Sequence, residues 1–147
     1  METTLVSRVM DYSATEVWAV IEDFADYRWG EGVGSATVDG DPLVPGAIRR
    51  FSYYEQPSQQ RLVELDSDKR LMSWESVEAF DATLSYYRAT VQVAPDTMSG
   101  RSVVEWSVEF DAEPNSTDKW KKHQEIEFEK SLDRLNLYVD WRSRGLV

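Results

Sequence analysis

Two stretches of this chain alternate apolar and polar side chains with a period of two, and that alternation limits the possible folds more than any other feature. Within residues 82–93, Tyr87, Ala89, Val91 and Val93 fall on one side, and Arg88, Thr90 and Gln92 on the other. Within 104–110, Val104, Trp106, Val108 and Phe110 oppose Glu105, Ser107 and Glu109. Successive side chains of a strand point to opposite faces, so both segments predict antiparallel strands with one dry and one wet face. The dry face has to be covered. The cover is supplied by residues 120–141: at 100° per residue, Trp120, Phe128, Leu132, Leu135, Tyr138 and Val139 share one broad face of a long helix, with Lys121, Lys122, Glu129, Lys130 and Asp133 away from its centre.

The remaining elements follow from local signals. Residues 3–10 read as a first strand. Ser13 stands three before Glu16, the spacing of a capping box, and Val17, Trp18, Ile21 and Phe24 recur at helical spacing, which predicts a helix from Ala14 to about Phe24. A second short helical turn is expected over 26–29, stopped by Gly30, Gly32 and Gly34. Turn residues at 41–42, 45–46, 56–58, 66–68, 79–81 and 95–100 then divide the chain into short strands joined as hairpins. A strand, two short helices, a six-strand meander and a long terminal helix give a two-layer α+β arrangement of about seven strands. With 147 residues, one domain spanning 1–147 is the expectation.

Composition narrows the function. The 27 Asp and Glu against 16 Lys and Arg give a net charge of −11, which repels nucleic-acid phosphates and anionic lipid surfaces. Neither nucleic acid nor membrane is an expected partner. Cysteine is absent, which excludes disulfides, thiolate nucleophiles and cysteine metal sites and accords with a reducing cytoplasm. The start METTLVSRVMD lacks the basic and apolar regions of a secretion signal, so a cytoplasmic location is expected. His123, the single histidine, could pair with Glu127 one helical turn on as two metal ligands; spacing suggests no third, and no metal is expected. Gly30, Gly32 and Gly34 follow a helix and precede no Lys-Ser/Thr, unlike a phosphate loop.

One hairpin could carry chemistry. If Leu65 faces Leu71 across the turn at 67–68, then Val63 faces Ser73 and Arg61 faces Glu75, all on the pocket side. A guanidinium beside a carboxylate at an apolar cavity is a general acid/base arrangement in outline; on the wet face, the same pair is an ordinary cross-strand ion pair. Tyr87, placed inside by alternation, offers a hydroxyl donor or is a core tyrosine bonded to backbone. On the terminal helix Gln124 and Ser131 interrupt the apolar face, either to orient a ligand or to bond strand ends.

The element order resembles the START-like superfamily, also called the helix-grip or SRPBCC group, over essentially the whole chain, within its polyketide cyclase/dehydrase-like branch. Locally, Arg61-Leu62-Val63 with Leu65-Asp66, then Ser73-Trp74-Glu75, then Tyr87 ahead of a Thr-Val-x-Val strand, is similar to the stretch of lachrymatory-factor synthase that holds its functional Arg, Glu and Tyr. Pro45-Gly46-Ala47-Ile48-Arg49 is similar to a turn and strand of the same group, while residues 76–84 depart from it. The resemblance implies a helix-grip fold in which a curved sheet wraps the long helix around a pocket for a small hydrophobic or aromatic metabolite. It implies cofactor-free cyclisation, dehydration, isomerisation or lyase chemistry, with Glu75 as acid/base, Arg61 as its partner and Tyr87 as donor. The strands contribute Arg49, Phe51, Tyr53, Val63, Ser73, Ser85 and Trp106 as candidate ligand contacts; the helix contributes Gln124, Phe128, Ser131 and Leu135. Members of the group also carry ligands without turning them over, so a binding or carrier protein stands beside the enzyme, as does a protein-interaction module. The chain is expected to act as a monomer or homodimer.

Overall fold

The computed structural model describes residues 1–78 and 81–147. Its elements in chain order are β1 (Glu2–Met10), α1 (Ala14–Ile21), β2 (Val33–Asp39), β3 (Ile48–Tyr53), β4 (Gln56–Asp66), β5 (Leu71–Ser76), β6 (Leu84–Pro95), β7 (Ser102–Ala112), a single 3-10 turn at Pro114–Ser116 and α2 (Thr117–Ser143). The strands form one antiparallel sheet in the order β1-β7-β6-β5-β4-β3-β2. Six strands meander, and β1 returns to pair with the last of them. This is the helix-grip arrangement: α2 lies in the concave face of the curved sheet.

The dry rows are continuous across strands. Ala89 stands opposite Trp74 on one side and Val108 on the other, and Val91 stands opposite Met72 and Trp106. All but Trp106 are fully buried, and Trp106 nearly so. From the helix side, Trp120, Phe128, Leu132, Leu135, Tyr138 and Val139 are buried against them, the face that a 100° step gives. Phe128 stacks on Trp106, with ring centroids 4.3 Å apart and planes inclined by 9°.

Local chemistry moves several boundaries. Helix α1 begins with the capping box: the Ser13 hydroxyl accepts from the Glu16 amide, and the Glu16 carboxylate accepts from the Ser13 amide. It stops at Ile21, short of Phe24, and the helical turn expected over 26–29 is replaced by hydrogen-bonded turns. The reason is local: the Asp23 and Asp26 carboxylates accept from the amides of Ala25 and Arg28, both at 3.1 Å, and so compete with helical pairing. The β3–β4 turn falls at Tyr54–Glu55 instead of 56–58. Both residues adopt left-handed backbone (φ 48° and 67°), as a two-residue hairpin turn requires, and Pro57 enters β4 opposite Ser52. Ala79 and Phe80, at the start of the turn expected over 79–81, lie outside the described residues. Between Leu62 and Glu64 the β4–β5 pairing shifts by one residue, so Leu65 faces Met72 and Ser73 faces Glu64. No helix among the described residues is long and apolar enough to cross a membrane.

Polar bonds fix α2 along its length. Thr4 Oγ1 donates to Gln124 Oε1 at 2.7 Å, the Glu31 amide to Ser131 Oγ at 2.9 Å, Arg134 Nε to the Arg28 carbonyl at 2.7 Å, and the Tyr138 hydroxyl to Asp26 Oδ2 at 2.7 Å. The Asp26 carboxyl is held at about 2, chiefly by the Arg28 side chain, with the Tyr138 hydroxyl assisting against burial. A depressed carboxyl stabilises the fold above its unfolded value of 3.8, and that contribution is lost as pH falls toward 2. Asp26→Asn is therefore expected to lower stability by about 1–2 kcal/mol at pH 7, discounted for the exposed guanidinium. In urea titrations the two proteins should differ at neutral pH and converge between pH 4 and about pH 2.

Candidate ligand pocket

The helix and the concave face do not close on each other everywhere. In the C-terminal half of α2, Leu132, Leu135 and Val139 pack dry. Toward its N-terminal end the wall is made by Trp120, Gln124, Glu127, Phe128 and Ser131, and a cavity of about 80 Å³ remains between them and Tyr27, Phe51, Tyr53, Gln60, Tyr87 and Trp106. A wider space of about 560 Å³ adjoins it, bounded by Tyr54, Gln56, Gln59, Lys119 and Glu78 and sharing Tyr53, Ser58, Ser76, Trp120 and His123 with the inner chamber. Together they form a vestibule leading to a small, largely aromatic chamber.

Of the residues expected to bind a ligand, Phe51, Tyr53, Trp106, Gln124, Phe128 and Ser131 line the chamber, and so does Tyr87. Arg49 is fully interior but sits behind the wall, while Leu135 belongs to the dry core. Ser73, Ser85 and Val63 do not reach the cavity. Ser73 is on the opposite face of the sheet, hydrogen-bonded to Thr90 at 2.9 Å; Ser85 is exposed and bonds the Asp111 carbonyl; Val63 occupies the bulge.

The expected acid/base pair also requires correction. Arg61 and Glu75 do stand opposite each other, with Arg61 Nη1 2.8 Å from Glu75 Oε1. They do so on the outer face, because their neighbours Gln60, Leu62, Trp74 and Ser76 take the inner one. Two local features reverse the expected faces: the hairpin closes with Leu65 opposite Met72 instead of Leu71, which turns Glu75 outward, and the bulge at Val63 changes the parity between Leu65 and Arg61. Side-chain exposures of 41% and 27% mark the pair as solvated, and Arg88 and Glu109 continue the same outer row of alternating charge.

The chamber lining includes two carboxylates, Glu31 and Glu127, and of these Glu127 is the one held by tyrosine hydroxyls. Its side chain is only 13% exposed, and its Oε2 accepts from the Tyr54 hydroxyl at 2.5 Å and from the Tyr53 hydroxyl at 3.4 Å. Its Oε1 lies 3.4 Å from Lys130 Nζ. The β3–β4 turn brings Tyr54 there. Gly32 makes room, because its carbonyl accepts from the Tyr54 amide at 2.8 Å and a Cβ at Gly32, where φ is +75°, would stand 2.7 Å from the Tyr54 ring. In the sequence Glu127 pairs only with His123; yet it projects at −20° from Trp120 on the helical wheel, at the edge of the apolar face and next to Ser131, which lies within it. The His123 ring instead meets Trp120 edge-on at 5.5 Å. Among the described residues no group of three or more His, Cys, Asp or Glu comes together as a metal site.

Behind the wall, Arg49 is 1% exposed and has no carboxylate within salt-bridge distance among the described residues. Its Nε donates to Gln60 Oε1 at 2.8 Å, and its guanidinium lies over Tyr27 (3.8 Å), Phe24 (4.3 Å) and Trp74 (4.9 Å). Burial pulls it down to about 10. Burial also pushes the Tyr27 and Tyr87 phenols up, with neighbouring phenols adding for Tyr87, so both are neutral hydroxyls. Tyr53 is raised by burial first and by the Glu127 charge second.

Fold and cavity together define a helix-grip protein with an internal pocket. Residues 1–140 match the family described as polyketide cyclase / dehydrase and lipid transport, and the chain belongs to that family. A Thermobifida fusca protein whose structure was determined by NMR is 27% identical, covering 95% of this chain and 93% of its own, with a TM-score of 0.82. One from Nitrosospira multiformis is 18% identical over 97% of this chain and 99% of its own, at 0.81. Norcoclaurine synthase of Thalictrum flavum, in complex with dopamine and hydroxybenzaldehyde, is 18% identical over 94% and 86%, at 0.74. A search of curated proteins found no match.

If the Arg61–Glu75 pair is only a surface ion pair, Arg61→Met or Glu75→Gln should shift the urea unfolding free energy by less than about 1 kcal/mol. The near-ultraviolet circular dichroism of the buried tryptophans should stay unchanged. A loss of several kcal/mol in either variant would contradict the outer-face placement.

Proposed function

We propose that the chain is an enzyme that moves a proton on an apolar or aromatic metabolite, in a cyclisation, dehydration, isomerisation or lyase reaction, with Glu127 as the acid/base. The observation that carries this reading is a largely buried carboxylate held by two tyrosine hydroxyls on the wall of an aromatic chamber. One carboxylate oxygen is occupied by the tyrosines, which fixes its direction; the other meets the half-exposed Lys130 ammonium at 3.4 Å and is the one assigned to a substrate proton. Tyr87 supplies a neutral hydroxyl on the same chamber. The work is assigned to these side chains alone, without metal or organic cofactor. The family's cyclase and dehydrase members support the reaction class, and the aromatic compounds bound by norcoclaurine synthase support an aromatic occupant.

The other half of the family description, lipid transport, keeps a carrier in view, and one experiment separates the two. Phenylacetone has an acidic CH2 between ring and carbonyl, so proton abstraction shows as deuterium incorporation in D2O by NMR whatever the natural substrate is. The wild type is expected to accelerate this exchange over buffer, and Glu127→Gln to lower the acceleration by about 10²–10⁴-fold. Quenching of tryptophan fluorescence by phenylacetone should persist in the variant. Binding by both proteins with no exchange by either points to a carrier.

A further inference from the structure

We infer that Gln124 selects the ligand: its side-chain N–H donates to an oxygen that carries no proton, the carbonyl of a ketone or aldehyde, at the buried end of the bound molecule. This rests on the pocket reading above and adds the ligand's chemical class to it. Gln124 is 3% exposed and faces the inner chamber, and it takes no part in the vestibule wall. The Thr4 hydroxyl, donating to Oε1 at 2.7 Å, fixes the plane of the amide and commits its oxygen. Its Nε2 is left buried with no hydrogen-bond partner. A helix that needed only packing at this position would carry Leu or Ala; an amide held by one end with the other unsatisfied is a donor awaiting an acceptor.

The rest of the chamber agrees. The other unpartnered buried atom on its lining residues is Trp106 Nε1, also a donor. Among the described residues, every buried side-chain polar atom left without a partner is a nitrogen carrying hydrogen. An alcohol or amine placed there would bring a further donor, whereas a carbonyl brings only lone pairs. Volume sets the pose. About 80 Å³ is roughly half of a cavity known to hold benzene, so the chamber takes a carbonyl and its small substituent while an aromatic body stays in the vestibule between Tyr53, Tyr54 and Trp120.

Gln124 and Glu127 stand three residues apart on α2, which places their Cβ atoms about 5–6 Å apart. That span suits a hydrogen-bonded carbonyl oxygen and its α-carbon. The step is then complete in atoms and electrons. The Glu127 carboxylate takes the α-proton, the C–H electron pair becomes the enolate C=C, and the negative charge passes to the oxygen facing the Gln124 N–H; reversal returns a proton to carbon.

Three probes of one shape test the assignment: phenylacetone, 1-phenylpropan-2-ol and isobutylbenzene, titrated by fluorescence into wild type, Gln124→Leu and Gln124→Glu, each checked for folding by circular dichroism. Wild type is expected to bind the ketone about tenfold more tightly than the other two. In Gln124→Leu the ketone's advantage over the hydrocarbon should fall below about threefold, and in Gln124→Glu, which offers an acceptor, the alcohol should overtake the ketone. In ¹⁵N-labelled wild type the Gln124 side-chain amide proton should move downfield with phenylacetone and not with isobutylbenzene, a readout that needs no variant. Equal binding of the three probes by wild type, or a ketone preference unchanged in both variants, overturns the assignment while leaving the Glu127 exchange result standing. If none of the three binds the wild type, both readings fall.

Discussion

The seat of α2 in the concave face of the sheet is the contact from which the rest follows. The helix does two jobs along one stripe. Its C-terminal half, with Leu132, Leu135 and Val139, closes dry core against the sheet and β1. Its N-terminal half carries Gln124, Glu127 and Ser131 in the same stripe and holds the sheet at a distance, with the Trp106–Phe128 stack near the boundary. Because the bonds from Thr4, Glu31, Arg28 and Asp26 anchor both halves, the gap is a fixed part of the fold rather than a packing defect.

The chamber backs onto an expensive element. Arg49 is a buried cation without a carboxylate partner among the described residues, and the drop from 12.5 to about 10 corresponds to roughly 3 kcal/mol of desolvation. Four aromatic rings and Gln60 offset part of it. Two of those rings, Tyr27 and Phe51, also line the chamber, so the cage that holds Arg49 makes one wall stiff. On the facing wall, Glu127 is held by Tyr53 and Tyr54, which also bound the vestibule. The net charge of −11 therefore coexists with a cation at the back of the pocket and a carboxylate near its front.

How much of this could be read from the chain depends on whether the signal is periodic or local. Side-chain alternation is indifferent to turn details, so the inward rows of β6 and β7 and the buried face of α2 were legible, and with them the helix-grip fold and the places of Tyr87, Trp106, Gln124, Phe128 and Ser131. Counting from a turn is fragile, because one bulged residue reverses every side chain beyond it. The bulge at Val63 turns Arg61 outward, and a turn that closes with Leu65 opposite Met72 does the same to Ser73 and Glu75, all three expected inside. Tyr54 and Glu55 gave no warning of a turn, since neither favours left-handed backbone, whereas Pro57 did and is in a strand. Glu127 was readable in principle from its angle on the helix, but a charged residue was assigned to solvent by type before its angle was considered.

The pairing of β1 with β7 has a consequence for how the protein is made. Met10 lies opposite Ser102 and Glu2 opposite Phe110, so the strand synthesised first can pair only with the one synthesised last. At about 5–20 residues per second, the roughly 100 residues between them take some 5–20 seconds to emerge. Through that interval β1 has an unsatisfied edge and carries Leu5 and Val9, which remain exposed even in the finished molecule. The vulnerable period in this protein's life is thus set by translation: slower elongation lengthens the time in which nascent chains can aggregate through β1, and charged substitutions at Leu5 or Val9 would shield it without touching the pocket.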